Sequence, residues 1–239
     1  MTEEIFALDA YRPTADATVT EVRDGGVIVD RTVFYARGGG QPGDTGTIRW
    51  EGGDARVVDT VRSEGEILHI LDDGATAPAV GSAVVGEIDW ARRHTLMRTH
   101  TALHALSGII FGDYGAKVTG GNMEPGAARM DFELEQISQE FGRDVEAKLN
   151  TALQQDHAVR VSFVPRAEAL TDPDLIRTKV SLIPETVDPI RVIDIQGLDK
   201  QADGGTHVRS TAEVGTVRVV KTESKGKANK RMRIELVDP

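Results

Sequence analysis

The chain contains no cysteine. Disulfides and thiolate metal sites are therefore excluded, and any transition metal must be held by histidine and carboxylate. No window approaches eighteen uninterrupted apolar residues, so no membrane-spanning helix is expected. The opening MTEEIFALDAYR is acidic where a secretory leader is basic and then apolar, so the expected location is the cytoplasm. Positive charge is in short supply: 28 Lys and Arg stand against 38 Asp and Glu, for a net charge of −10. What is present in ordinary amounts, 39% hydrophobic and 28% charged residues, fits a soluble globular protein, and 239 residues suffice for two modest domains.

The scarce positive charge is concentrated. From Val217 to Arg233, seven bases (Arg218, Lys221, Lys225, Lys227, Lys230, Arg231, Arg233) face one acid, Glu223, for a local charge of +6 on a remainder of −16. A basic end on an acidic body suits docking of a polyanion at one place, and it equally suits a solvated hairpin.

Between Ala17 and Trp90 the runs ATVTEV, GGVIVD, TVFYA, TGTIRW, ARVVDTV and EILHIL are separated by glycine-rich or acidic breaks, which predicts a small β-barrel domain over 1–90. From Ala91 the period changes. Leu96, Met97, His100, Leu103, His104, Ser107 and Phe111 recur at helical spacing until Gly112 and Gly115, and Ile137, Phe141, Val145, Leu149 and Leu153 mark a second amphipathic helix. The strands ARMDFEL, AVRVSFV, IRVIDIQ, GTVRVVK and RMRIELV, the last two joined through SKGKAN, complete the expectation for 91–239: an α+β domain with two long helices on an antiparallel sheet.

His100 and His104 stand one helical turn apart and project from one face, where they either grip an ion or are satisfied by hydrogen bonds in a core. The intervening sequence, HTALH, lacks the glutamate that serves zinc peptidases as base, which argues against a peptidase. Further on, QADGGTHV sets Asp203 four residues before His207 across a two-glycine bend. Three imidazoles and a carboxylate suit one zinc ion; the alternative for Asp203 is a turn that fixes the bend. His94 lies about two thirds of a turn from His100 and reads as surface or as a residue behind the ligands. The segment ARGGGQPGDTG offers backbone N–H groups for phosphate but lacks the lysine and following helix of a nucleotide-triphosphate loop; a plain connection between barrel strands accounts for it as well.

Taken together, FYARGGGQPGDTG, HTALH, GGTHVRSTAEVG and ESKGKANKRMRI, in this order from about Val33 to Arg233, resemble the AlaX family of free-standing alanyl-tRNA editing proteins. That family is similar to the editing domain of alanyl-tRNA synthetase and, more distantly, of threonyl-tRNA synthetase. The glycine-rich first domain matches the medium-length type. The resemblance implies hydrolysis of the ester joining a wrong amino acid, chiefly serine and also glycine, to alanine tRNA. Motif by motif, the family's zinc ligands fall on His100, His104 and His207, and a fourth, a cysteine, falls on Asp203. This departure leaves Asp203 as an oxygen ligand or as a general base. One zinc per chain is expected, acting to activate a water or to anchor and orient the substrate.

Rejection of correctly charged alanine requires a hydrogen bond to the serine hydroxyl, worth up to roughly 10⁴ in discrimination. Thr101 and the loop Val118, Thr119, Gly120, Gly121, Asn122 are the candidates, with back-bonding of the threonine and an ordinary turn as the alternatives. For the acceptor end of tRNA the resemblance points to Arg37, Gly38, Gly39, Gly40 and Gln41; the local charge of the hairpin makes Lys225, Lys227, Lys230 and Arg231 candidate phosphate contacts, and Arg92, Arg93 and Arg98 are further candidates, or a solvated helix face. A monomer or weak dimer is expected. Two other readings share parts of this pattern: a zinc hydrolase of a small-molecule ester or amide, which would not bind tRNA, and a non-catalytic tRNA-binding module, which would carry no metal.

Overall fold

The computed structural model describes residues 2–172, 175 and 185–237. The chain divides into two compact units, Met1–Thr95 and Leu96–Pro239. The first begins with Glu3–Glu4 (β1) and the short helix Ile5–Leu8 (α1), followed by Thr14–Arg23 (β2), Gly26–Val29 (β3), Arg31–Thr32 (β4), Gly46–Trp50 (β5), Gly53–Ser63 (β6), Glu66–Leu71 (β7) and Ala83–Ile88 (β8). Six of these close an antiparallel barrel in the order β2-β3-β7-β6-β5-β8, and β1 pairs with β4 beside it. Alternating side chains fill the barrel: Val19, Val27, Phe34, Ile48, Val57 and Val84 are all buried.

Two strand expectations change here. TVFYA is a strand only at Thr32. Its later backbone groups are taken by side chains in place of a ladder, with Phe34 N donating to Thr32 Oγ1 (3.0 Å) and Tyr35 N to Asp44 Oδ2 (2.6 Å). Conversely, AVVGEI, read as no strand, is β8, which closes the barrel against both β2 and β5.

Within the barrel His69 is fully buried between Thr32 Oγ1 (2.7 Å) and the Val27 carbonyl (3.1 Å). Burial pushes its pKa down to about 4, against a smaller opposing effect of the Val27 hydrogen bond. The folded state thus resists a proton that the unfolded chain accepts at about 6.5. Stability from this group is complete above pH 6.5 and is lost as pH falls from 6.5 to 4, by about 3 kcal/mol in all. Urea unfolding followed by tryptophan fluorescence reports on this unit, because Trp50 and Trp90 are the chain's two tryptophans. The loss between pH 7 and pH 4 should shrink in His69→Gln; an equal loss in both proteins would contradict the assignment.

The helix Trp90–Tyr114 (α2) starts in the first unit and continues into the second, ending at Gly115 with φ +64°. It runs through Gly112, which does not stop it. Leu96, Met97, Ala102, Leu103, Ala105, Leu106 and Ile110 are buried around its whole circumference, as befits a central helix. There follow Val118–Glu124 (β9), Ala127–Phe132 (β10), Gln139–Gln154 (α3), Val159–Val164 (β11), Arg166–Ala169 (α4), Ile190–Ile195 (β12), Asp199–Ala202 (β13), Thr216–Gly226 (β14) and Asn229–Val237 (β15). The expected single sheet is two antiparallel sheets, β14-β15-β10-β9 and β11-β12-β13. The segment Val118 to Asn122, read as a loop, is most of strand β9, and the SKGKAN connection tightens to a turn across Gly226 and Asn229.

Helix α3 is capped by Ser138, whose Oγ accepts from Phe141 N (3.0 Å), and it buries Gly142, Val145, Leu149 and Leu153. It also covers the edge of β14. Asn150 brackets Val217 through its carbonyl (2.7 Å) and N–H (2.8 Å), and Glu146 accepts from Val219 N (2.6 Å). The strand's outward backbone groups are thereby satisfied and closed to edge pairing. Among the described residues no helix is long and apolar enough to cross a membrane.

Candidate metal centre and glycine-rich loop

His100 and His104 leave α2 from one face, as their spacing requires, and the loop after β13 brings Asp203 and His207 to them. The four donor atoms lie within 4.8 Å of one another. His207 Nε2 is 3.2 Å from Asp203 Oδ2, while His100 Nε2 and His104 Nε2 are 3.6 and 3.9 Å from Oδ1. All three histidines are buried, and Asp203 is the member open to solvent, its side chain 16% exposed.

The bend that delivers Asp203 and His207 is held from inside. Arg191 donates to the carbonyls of Asp203 (2.9 Å) and Gly205 (2.8 Å), and Gly205 N donates to Asp203 Oδ2, so the Asx-type turn weighed as an alternative role is present together with the histidine contacts.

Two residues that the sequence reading did not single out as site residues stand behind His104. Its Nδ1 donates to buried Asp199 Oδ2 (3.1 Å), which also accepts from Gln201 Nε2 (2.7 Å), and that amide reaches Ser107 Oγ (3.2 Å). Gly108, one turn after His104, makes this approach possible: a Cβ there would sit 2.5 Å from the Leu198 carbonyl and 2.9 Å from Asp199 Cβ. Asp199 lies eight residues before His207 at no ligand spacing, so only the pairing of β13 with β12 beside the helix reveals it. A carboxylate on Nδ1 fixes the ring and the tautomer in which Nε2, once its proton is lost, is the nitrogen offered to an ion. Asp199→Ala should therefore weaken zinc binding about 10- to 100-fold, with part of the loss recovered in Asp199→Asn. Competition with a chelating dye measures this; unchanged affinity in Asp199→Ala would mean that the carboxylate only packs.

Thr101 is a correction. Expected to meet a substrate hydroxyl, it is completely buried, accepting from Val208 N (3.2 Å) with its Oγ1 3.2 Å from His207 Nδ1. Its hydroxyl is taken by these two groups, and it positions His207 as Asp199 positions His104.

The electrostatics of the cluster are uneven. Burial pushes His100 down to about 4, with the Asp203 charge opposing and the His104 and Arg191 charges adding to the fall. His207 is likewise held well below its ordinary value, first by burial. Burial also acts to lower His104, but hydrogen bonds to Asp199 and Asp203 outweigh it and hold its pKa at about 9. Asp203 stays well below the carboxylate range: burial opposes this, and the His100 charge with hydrogen bonds from His104 and His207 overcomes it. An anionic carboxylate among imidazoles with free lone pairs is the donor chemistry of a zinc site, and loading one displaces the proton on His104.

In the first unit the segment Tyr35–Gly46 is built on Asp44, which is 1% exposed. Its carboxylate receives Arg93 Nε (3.1 and 3.0 Å) and Nη2, and Arg93, itself buried, also donates to the carbonyls of Ala10 (3.0 Å) and Val33 (2.6 Å). Arg92 donates to the Gly43 carbonyl (2.7 Å), and a Cβ on Gly43 would meet the Thr60 carbonyl at 2.2 Å. Gly38 and Gln41 exchange backbone hydrogen bonds around Gly39 and Gly40, both at positive φ. Gly38, Gly39 and Arg37 face solvent, with Arg37 paired to Asp59. Gln41 is 1% exposed, so its side chain supports the loop from inside and does not present itself to a ligand. Arg93 is likewise corrected from a surface contact to a buried brace, and Arg98 donates to the Val214 carbonyl (3.1 Å). His94 stacks on Trp90, with centroids 5.6 Å apart.

The hairpin bases divide into two kinds. Lys225 and Lys227 are exposed, whereas Lys230 is 4% exposed and donates to the carbonyls of Gly226 (2.6 Å) and Lys227 (3.2 Å), closing the turn. Arg231 makes a two-pronged pair with Asp131 (2.6 and 2.8 Å). Neither is available as first expected. Thr119 donates to Asn229 Oδ1 (3.0 Å), tying β9 to the hairpin turn.

Residues 2–92 match the family described as tRNA synthetases class II (A), and residues 190–233 match the threonyl and alanyl tRNA synthetase second additional domain. The alanyl-tRNA editing protein AlaX-M of Methanosarcina mazei is 36% identical, with 100% of this chain and 98% of the relative covered. That of Saccharolobus solfataricus is 37% identical over 97% of this chain and 98% of its own. The alanine–tRNA ligase of Pyrobaculum calidifontis is 38% identical over 93% of this chain but only 25% of its own length, so the likeness is to one part of that enzyme. With two such relatives aligned from end to end, the chain belongs to the AlaX-M family of alanyl-tRNA editing proteins.

Proposed function

We propose that the protein is a trans-editing deacylase that removes serine, and also glycine, from alanine tRNA, using one zinc ion held by His100, His104, Asp203 and His207. The observation that carries this reading is the convergence of three buried histidines and Asp203, each histidine of the pair His104 and His207 backed by its own partner, in a chain of the AlaX-M family. When bound, zinc supplies a positive field that orients and polarises the aminoacyl ester. Water oxygen attacks the ester carbonyl carbon, the bond to the ribose oxygen breaks, and that oxygen takes a proton, leaving free amino acid and uncharged tRNA. Asp203, the member nearest solvent and held anionic, is placed either to complete the ligand set or to take the proton of the attacking water.

For the amino-acid pocket we keep Thr119, Gly120, Gly121 and Asn122 on β9, where a polar atom set against the serine hydroxyl would be left unpaired by alanine. For the acceptor end the reading uses the exposed part of the glycine-rich loop, Arg37 and Gly38 to Gly40, in the barrel domain. Such a protein works where tRNA is charged and used, in the cytoplasm. The test is deacylation of serine-, glycine- and alanine-charged alanine tRNA by the zinc-loaded protein. Serine should be released at least about 100-fold faster than alanine, and glycine should also be released faster than alanine; equal rates on all three would refute an editing role, and hydrolysis of simple esters without tRNA hydrolysis would favour a small-molecule hydrolase.

A further inference from the structure

The four-stranded sheet β14-β15-β10-β9 has two unlike faces. Met130, Phe132, Met232, Ile234 and Val217 point inward and are buried. The register places Arg129 and Asp131 of β10 beside Arg233 and Arg231 of β15, and those beside Lys221 and Glu223 of β14, with Arg218 opposite Glu235 further along. With Lys225 next to the bulge and Glu124 of β9 opposite Ala127, this outward face carries six bases and four acids, a net charge of +2 on a protein of −10.

The layering matters more than the count. Asp131, 9% exposed, lies beneath Arg129 (31%) and Arg231 (17%). Glu223, 17% exposed, lies beneath Lys221 (60%), Lys225 (39%) and Arg233 (42%). Asp131 and Glu223 form a lower tier that fixes the bases; Arg231 stays down with Asp131, and Arg129, Lys221, Lys225 and Arg233 form the tier that meets solvent. The hydrogen bond from Arg233, then that from Lys221, keeps Glu223 ionised down to about pH 2. Held guanidinium and ammonium groups lose less side-chain freedom on meeting phosphate than free ones do.

We propose that this open sheet face, and not the tip of its hairpin, is the surface on which the phosphate backbone of tRNA lies. The inference deepens the tRNA reading above and rests on it. A sheet spreads charge over several strands, about 4.8 Å apart, which suits successive phosphates better than a single turn does.

The experiment is tRNA binding and deacylation across a salt series with the zinc-loaded full chain. It compares Arg218→Gln with Lys221→Gln together on the sheet face, Lys225→Gln with Lys227→Gln near the turn, and Arg160→Gln, an exposed base on β11 of the other sheet. The sheet-face pair should lower the slope of log affinity against log salt by about 0.7 to 0.9 per lost contact and raise KM with kcat unchanged. Arg160→Gln should change neither, and the turn pair should change the slope by no more than the one contact of Lys225. Equal losses in Arg160→Gln would show a general charge effect and overturn the proposal, as would a normal slope in the sheet-face pair while the wild type binds tRNA. If the wild type itself neither binds nor deacylates tRNA, the tRNA reading fails together with this one.

Discussion

His104→Ala is expected to abolish zinc retention and to slow hydrolysis of serine-charged alanine tRNA by more than about 100-fold. Changing an outer partner of a metal ligand already costs about 10- to 100-fold, and this substitution removes both the ligand and the contact through which Asp199 acts. The Asp203 carboxylate would also lose one of the neighbouring histidines that hold it anionic. Metal content and single-turnover deacylation of the folded variant measure the two effects together. Full zinc occupancy in His104→Ala would remove this histidine from the ligand set.

A comparable effect on stability is expected in the barrel. Arg93→Ala should lower its unfolding free energy by about 3–5 kcal/mol, the cost of leaving a buried charge without its partner. Asp44 would remain in an apolar setting, still accepting the Tyr35 N–H but with no cation, and the Ala10 and Val33 carbonyls would lose a shared donor. Urea titration read by the fluorescence of Trp50 and Trp90 reports the change directly. A loss below about 1 kcal/mol, the range of a surface pair, would mean that the guanidinium is not needed to fold the segment around Asp44.

The metal cluster was legible because its geometry is local. A four-residue spacing on a helix fixes where His100 and His104 point, and DGGTH fixes the bend between Asp203 and His207 whatever lies around them. Roles that depend on another element were not legible. Arg93 in ARRH has the sequence context of a solvated helix face, and nothing local says that it meets Asp44, 49 residues away. Thr101 sits beside a ligand in sequence and was therefore read as facing substrate, although the helix turns it inward beneath His207. The β8 strand was missed because Gly86 interrupts its pattern; the missing side chain leaves room for Phe34, whose ring would be 3.1 Å from a Cβ at that position. Lys230 and Arg231 counted as free charge in composition, and the fold spends them on the turn carbonyls and on Asp131.

The measurement that tests the central claim most directly is a zinc titration of chelator-stripped protein, with single-turnover deacylation of serine-charged alanine tRNA read at each point. The rate should rise in proportion to added zinc and level off at one ion per chain, starting from a stripped protein that retains less than about one hundredth of the loaded rate. Full hydrolysis by the stripped protein, or a rate that ignores zinc while the ion binds, would contradict the assignment of this site as the editing centre.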